Sequence, residues 1–235
     1  MPQLQTNAEI YNALQAAFDE LKVACLSVPD NSFFNQPENK WSKAQHLQHI
    51  TISTQTSTAA FALPLFVVRL VGGKPKRSSL SYDELVTKYL QKLSDGGRAS
   101  GRYIPKAVPL EIGKERMLAR WQRVTDTFLA AFEKVKDDSL LDKYQVPHPL
   151  LGKITLRELA YFTIYHTSHH KKAIVGLFFT TTDAIHPPDD IRGVDDIRKI
   201  IFPPLIFHLL LLSLRRNDPV LQKYQPSDCR NRQAR

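Results

Sequence analysis

Thr155 opens the segment that most restricts what this chain can fold into. With Glu158 three positions on it forms a capping box, and Leu156, Leu159, Ala160, Thr163, Ile164, Thr167, His170, Ile174 and Leu177 then fall on one helical face. A stripe of about six turns must be buried against other helices. Three further segments repeat its three- and four-residue spacing. Residues 8–28 carry Ile10, Leu14, Ala17, Phe18, Leu21 and Cys25, residues 43–62 carry Leu47, Ile50, Thr54 and Ser57 behind a Ser42 cap, and residues 114–135 carry Met117, Leu118, Trp121, Val124, Phe128 and Phe132. No alternating strand runs lie between them. The pattern predicts an all-α fold, an up-and-down four-helix bundle over residues 1–182, with an extra C-terminal segment over 183–235.

The connections are uneven. Residues 29–41 form a loop, and Pro64 ends or kinks the second long helix. An apolar stretch then runs to Leu70 and breaks into the basic turn Gly72-Gly73-Lys74-Pro75-Lys76-Arg77. A short helix is predicted over 81–92, followed by a long loop over 94–113, and residues 137–153 are rich in turn formers. The C-terminal segment holds an apolar run over 200–214, split by Pro203-Pro204. That is shorter than the roughly 20 residues a membrane-spanning helix needs. It is expected to dock on its own bundle or to join two chains as a homodimer, ahead of a polar, basic tail.

Two cysteines in 235 residues exclude a disulfide scaffold and a cysteine-rich zinc ribbon, and Cys25 continues the apolar stripe of its helix, as a core residue would. The first 25 residues lack the basic start and apolar block of a secretory signal. The expectation is a cytoplasmic protein. The net charge of +9 permits an anionic partner. Residues 68–123 hold 13 Lys and Arg against 5 Asp and Glu, but Tyr82, Tyr89 and Tyr103 make no base-stacking platform, which argues against nucleic acid. A positive rim that attracts a small anionic or thiol substrate fits this distribution better.

Histidine carries the chemical information. His166 and His170 lie one turn apart on the last helix, about 5 to 6 Å between Cβ atoms, a spacing that suits two imidazoles on one metal ion. An i, i+4 pair alone is a short pattern that also occurs on helix surfaces. His166 shares the stripe of Leu159 and Thr163, however, and so should face inward. A third ligand would come from His49 or His46 on the second long helix. Helical phase favours His49, whereas His46 could face either way. His169 is expected beside the site or on the surface, and His148, His186 and His208 are assigned no role. No general base is evident: Glu158 is expected to cap its helix, and Glu111 and Glu115 lie near the long loop.

Three stretches carry a family resemblance. Trp41-Ser42-Lys43-Ala44-Gln45-His46-Leu47-Gln48-His49-Ile50 resembles the helix-two signature of the DinB-like superfamily. Pro147-His148-Pro149-Leu150-Leu151-Gly152-Lys153-Ile154-Thr155 is similar to the approach to its last bundle helix, and His166 to Ile174 resembles its His-x-x-His-His-x-x-Gln-Ile element. The resemblance covers roughly residues 8–180 and departs at Ala173, where Gln is usual. It implies one divalent metal ion (zinc, nickel or iron) held by His49, His166 and His170. It also implies an activity of DinB/YfiT type, a metal-dependent hydrolase or a low-molecular-weight-thiol S-transferase. The alternative is a non-catalytic helical interaction module, metal-stabilised or metal-free.

Overall fold

The computed structural model describes residues 4–176. In chain order the helices are α1 (Asn7–Ser27), α2 (Asp30–Phe34), α3 (Lys43–Ala62), α4 (Leu65–Gly72), α5 (Tyr82–Ser94), α6 (Lys114–Phe132), α7 (Leu140–Lys143) and α8 (Leu156–Val175). Strands β1 (Gln145–His148) and β2 (Gly152–Thr155) form an antiparallel hairpin between α7 and α8, with Val146 opposite Ile154. The four helices predicted from periodicity, α1, α3, α6 and α8, build an all-α bundle. No single helix among the described residues is long and apolar enough to cross a membrane.

Capping residues explain where these helices start. Thr6, Ser42, Ser81 and Thr155 each accept a hydrogen bond from the N3 amide of α1, α3, α5 and α8, and Glu9, Gln45, Glu84 and Glu158 answer each cap's own amide. These are four reciprocal capping boxes, each satisfying two amides that a helix start leaves without partners. At its far end α8 closes on Gly176, whose φ of 77° is the left-handed conformation glycine adopts at little cost.

Side-chain pairs fix the helix directions. Gln5, just before α1, and Glu20 within it meet Arg157 and Lys171 of α8, so these two helices run parallel. His46 and His49 of α3 meet His170 and His166 of α8 in reverse order, so that pair is antiparallel. Gln55 and Phe61 of α3 meet Arg120 and Phe128 of α6, a parallel pair. The fold is all-α as expected, but the directions are up, down, down, up rather than the alternating up-and-down order expected from the sequence. Residues 63–113, between α3 and α6, are long enough to recross the roughly 30 Å length of a 20-residue helix, which a short loop could not do.

The core lies between α1, α3, α6 and α8. Phe18 meets Trp121 and Phe128 edge-on at 5.4 and 5.6 Å, and Phe61 packs on Phe128 and Phe132 at 5.3 Å each. Trp121 is buried and its indole N–H donates to the Phe18 carbonyl, so its one polar group is satisfied. Cys25 belongs to this core, fully buried, and burial pushes its thiol up to about 12. It is a packing residue, as its place on the stripe predicts.

Several local features differ from the expected loops, among them the short helices α2 within residues 29–41 and α7 within residues 137–153. Pro64 separates α3 from α4 at a bend of 113°, and the apolar stretch continues as helix. The loop over 94–113 contains two single 3-10 turns, at Gly101–Tyr103 and Leu110–Ile112. Residues 145–155 pair as a hairpin even though Pro147 interrupts the alternation by which a strand is recognised. The apolar run over 200–214, the basic tail and His186 and His208 lie outside the described residues.

Candidate metal centre

His166 and His170 occupy adjacent turns of α8, and α3 packs antiparallel against them through its first two turns. Three ring nitrogens converge there. Nε2 of His166 stands 3.0 Å from Nε2 of His170 and 3.3 Å from Nε2 of His49. The three donors lie within 4.8 Å of one another, and their residues keep 6, 5 and 3 % exposure at His49, His166 and His170. The structure thus brings together the residues the sequence analysis selects.

The second nitrogen of each ring points outward to a partner. His49 Nδ1 lies 2.6 Å from the Tyr103 carbonyl, His166 Nδ1 lies 3.3 Å from the Ser53 hydroxyl, and His170 Nδ1 lies 2.9 Å from Nδ1 of His46. A carbonyl only accepts, so His49 must carry its proton on Nδ1 and present a bare Nε2 to the cluster. Burial, then the neighbouring His49, pushes His166 well below the ordinary imidazole range. Burial, then His166, does the same to His170. With their protons on the three Nδ1 atoms, neutral imidazoles direct the Nε2 lone pairs at one point, an arrangement that a cation between them stabilises. Nitrogens bound at about 2.0 to 2.1 Å to one ion lie about 2.8 to 3.4 Å apart in octahedral to tetrahedral arrangements, so the observed spacing fits a divalent metal.

Aromatic rings wall the cluster. Trp41 lies 5.0 Å from His49, 5.5 Å from His46 and 6.4 Å from His170 between ring centroids, nearly parallel to the last at 14°. Phe162 stacks on His166 at 4.7 Å, with Tyr89 behind it at 6.1 Å. The long loop over 94–113 contributes the Tyr103 carbonyl, so it forms part of the site wall.

Several site features escape sequence reasoning. His46 faces inward and touches His170; its spacing of three from His49, which puts both on one helix face, was the available signal. Ser53 and Tyr103 have no such signal, because their partners are 113 and 54 positions away. His148 has a structural role: its Nδ1 accepts from the amides of Leu150 and Leu151 at 3.3 and 3.2 Å and its ring meets Phe162 at 4.3 Å. His169 is half-buried against His170 and Tyr165, outside the converging group. Glu111 and Glu115 are exposed, and the group contains no carboxylate. Glu158 caps α8 as expected.

The basic turn is not at the histidines. Lys74, Lys76 and Arg77 line an open cleft of about 1110 Å³ with Arg157 and Tyr161, beside the first turns of α8. The histidines lie farther along the helix, so this part of the positive excess makes no rim around them.

Fold and site together define a helical-bundle protein with a buried three-histidine cluster able to hold a metal ion. The model of the DinB superfamily matches residues 9–174, and the chain belongs to that superfamily. No curated protein and no solved structure matches the chain.

Proposed function

We propose that this protein is a metal-dependent enzyme, a hydrolase or a low-molecular-weight-thiol S-transferase, with its ion held by His49, His166 and His170. The observation that carries the reading is the set of three Nε2 atoms, 3.0 and 3.3 Å apart, on rings whose Nδ1 atoms are all engaged outward. Three protein ligands leave a coordination position open, the arrangement of catalytic rather than structural sites. A divalent ion there, zinc, nickel or iron, supplies Lewis-acid activation of a water or thiol nucleophile. The chain's residues do the rest: Tyr103 and Ser53 orient ligand rings, while Trp41, Phe162 and Tyr89 keep bulk water from the cluster. The substrate class is a small anionic or thiol compound. The setting is cytoplasmic and the assembly a homodimer.

The second reading is a non-catalytic helical interaction module, metal-stabilised or metal-free. The absence of a carboxylate from the cluster favours it, since no group among the described residues stands out there as a general base.

Metal content of protein purified without an affinity tag separates these readings. One equivalent of metal in the wild type and at least a tenfold loss of occupancy in His170→Ala are expected. Near-zero metal in the wild type, or equal metal in the variant, would sink the metal centre. A metal-loaded protein inert toward thiol–electrophile conjugation and toward ester and amide hydrolysis would favour the interaction module. Sedimentation of the full chain and of a form lacking residues 183–235 tests the homodimer and the role assigned to that segment.

A further inference from the structure

We propose that His46 is a positioning residue for the metal centre, holding His170 through an N–H···N hydrogen bond in the tautomer that presents its Nε2 to the ion. The inference rests on the metal reading above and concerns a residue outside the three ligands.

Both rings are buried, His46 at 7 % and His170 at 3 % exposure, and their Nδ1 atoms stand 2.9 Å apart. At that distance the pair shares one proton. Two bare nitrogens would set lone pair against lone pair, and two protonated ones would set donor against donor. The other nitrogen of His170 decides which ring holds it. Its Nε2 faces Nε2 of His166 at 3.0 Å, and to ligate an ion it must be bare. Neutral His170 therefore carries its proton on Nδ1 and donates it to His46 Nδ1. His46 in turn carries its own proton on Nε2.

The geometry also separates His46 from the ligands. Its Nδ1 is aimed at the outer nitrogen of His170 rather than at the three converging Nε2 atoms, and it is not a member of that group. Trp41 restrains both rings, lying 5.5 Å from His46 and 6.4 Å from His170. The three ligands thus differ in their outer partners. His49 has a backbone carbonyl and His166 a hydroxyl, while His170 has an imidazole, a stronger base than either. A ligand histidine that donates its far N–H to such a partner is fixed in orientation and becomes a better donor to the metal.

Zinc affinity, measured by chelator competition, tests this in the full chain with His46→Phe, His46→Gln and His170→Ala. Phe retains a ring against Trp41 but has no acceptor; Gln offers its amide oxygen in place of Nδ1. The expected result is an affinity about 10- to 100-fold weaker for His46→Phe, within a few-fold of wild type for His46→Gln, and lost for His170→Ala. A second measurement needs no variant. Imidazole 15N NMR of the zinc-loaded wild type should show scalar coupling across the His170–His46 hydrogen bond, with the proton on His170 Nδ1. Undiminished zinc affinity in His46→Phe, an equal loss in the Phe and Gln variants, or a proton found on His46 Nδ1 overturns the role of His46 while leaving the metal centre standing. A wild type that takes up neither zinc, nickel nor iron overturns both.

Discussion

Glu158 accepts hydrogen bonds from Arg77 at 2.5 and 3.1 Å, from the Leu80 amide at 2.8 Å and from the Thr155 amide at 2.8 Å, while fully buried. A carboxylate removed from water persists only because its oxygens are filled this way. Only the Thr155 bond is legible in the sequence, since a capping box is local. Arg77 and Leu80 come from about 80 positions upstream, where the sequence shows a basic turn and nothing of its partner. The same limit governs the metal centre. His166 and His170 announce themselves by spacing, but the inward turn of His46 depends on how α3 meets α8. Replacing Glu158 with Ala removes the acceptor for two amides and for the Arg77 guanidinium, which is itself part-exposed and keeps the Ser78 carbonyl, and is expected to destabilise the protein by about 1 to 3 kcal/mol in urea unfolding. Glu158→Gln should cost less, since it keeps an acceptor. Neither change should alter metal affinity, because Glu158 lies two turns before His166. A Glu158→Ala variant as stable as wild type would show that the Arg77 pair contributes nothing net.

At the scale of elements, length decided legibility. The four long helices are readable because a stripe of four or more turns has no other explanation, and their capping boxes mark the starts. The hairpin over Gln145–Thr155 is four residues a side and carries two prolines nearby, too short for a period of two to register. Helix α4 is hidden for a related reason, since an apolar run of eight residues suits either state. Its last residue, Gly72, shows what the first glycine of the Gly72-Gly73 pair is for. A Cβ on Gly72 would lie 1.6 Å from the Gln145 carbonyl oxygen, so α4 and β1 touch backbone to backbone, and the Gln145 side-chain amide reinforces the seam by donating to the Gly72 carbonyl at 3.0 Å. What reads as a flexible turn in the sequence is a close approach. Gly72→Ala must push the two elements apart, and overpacking of that kind costs about 1 to 3 kcal/mol or more. Thermal unfolding checks it: the expected midpoint falls by several degrees, and an unchanged midpoint would mean that the seam opens without cost.

The whole molecule couples these scales through its up, down, down, up order, since parallel α1 and α8 leave the first turns of α3 to meet the last turns of α8, where the histidines converge. The hairpin that leads into α8 also reaches toward the centre, through His148 on Phe162 and Phe162 on His166. Burial pushes His148 down to about 3 from an ordinary value near 6.5, so it stays neutral in the fold while accepting from two amides. The sign of the consequence follows from proton counting. Above pH 6.5 neither state binds the proton and His148 makes no difference. As pH falls from 6.5 towards 3 the unfolded chain takes up a proton that the folded chain refuses, so stability is lost across that window. One proton is worth about 1.4 kcal/mol per pH unit, which gives at most about 2 kcal/mol at pH 5, and nearer 1 because His148 keeps some solvent contact. The His148→Asn variant retains an acceptor for the two amides and has nothing to titrate. Urea unfolding of metal-stripped wild type and variant at pH 7 and pH 5 should therefore show a loss about 1 to 2 kcal/mol larger in the wild type. Carboxylates and the more distant histidines cancel in that difference, and His166, which His148 pushes further down, adds to it in the same direction. Equal losses would mean that His148 is protonated in the fold at pH 5, and that the hairpin opens to water well before the bundle does.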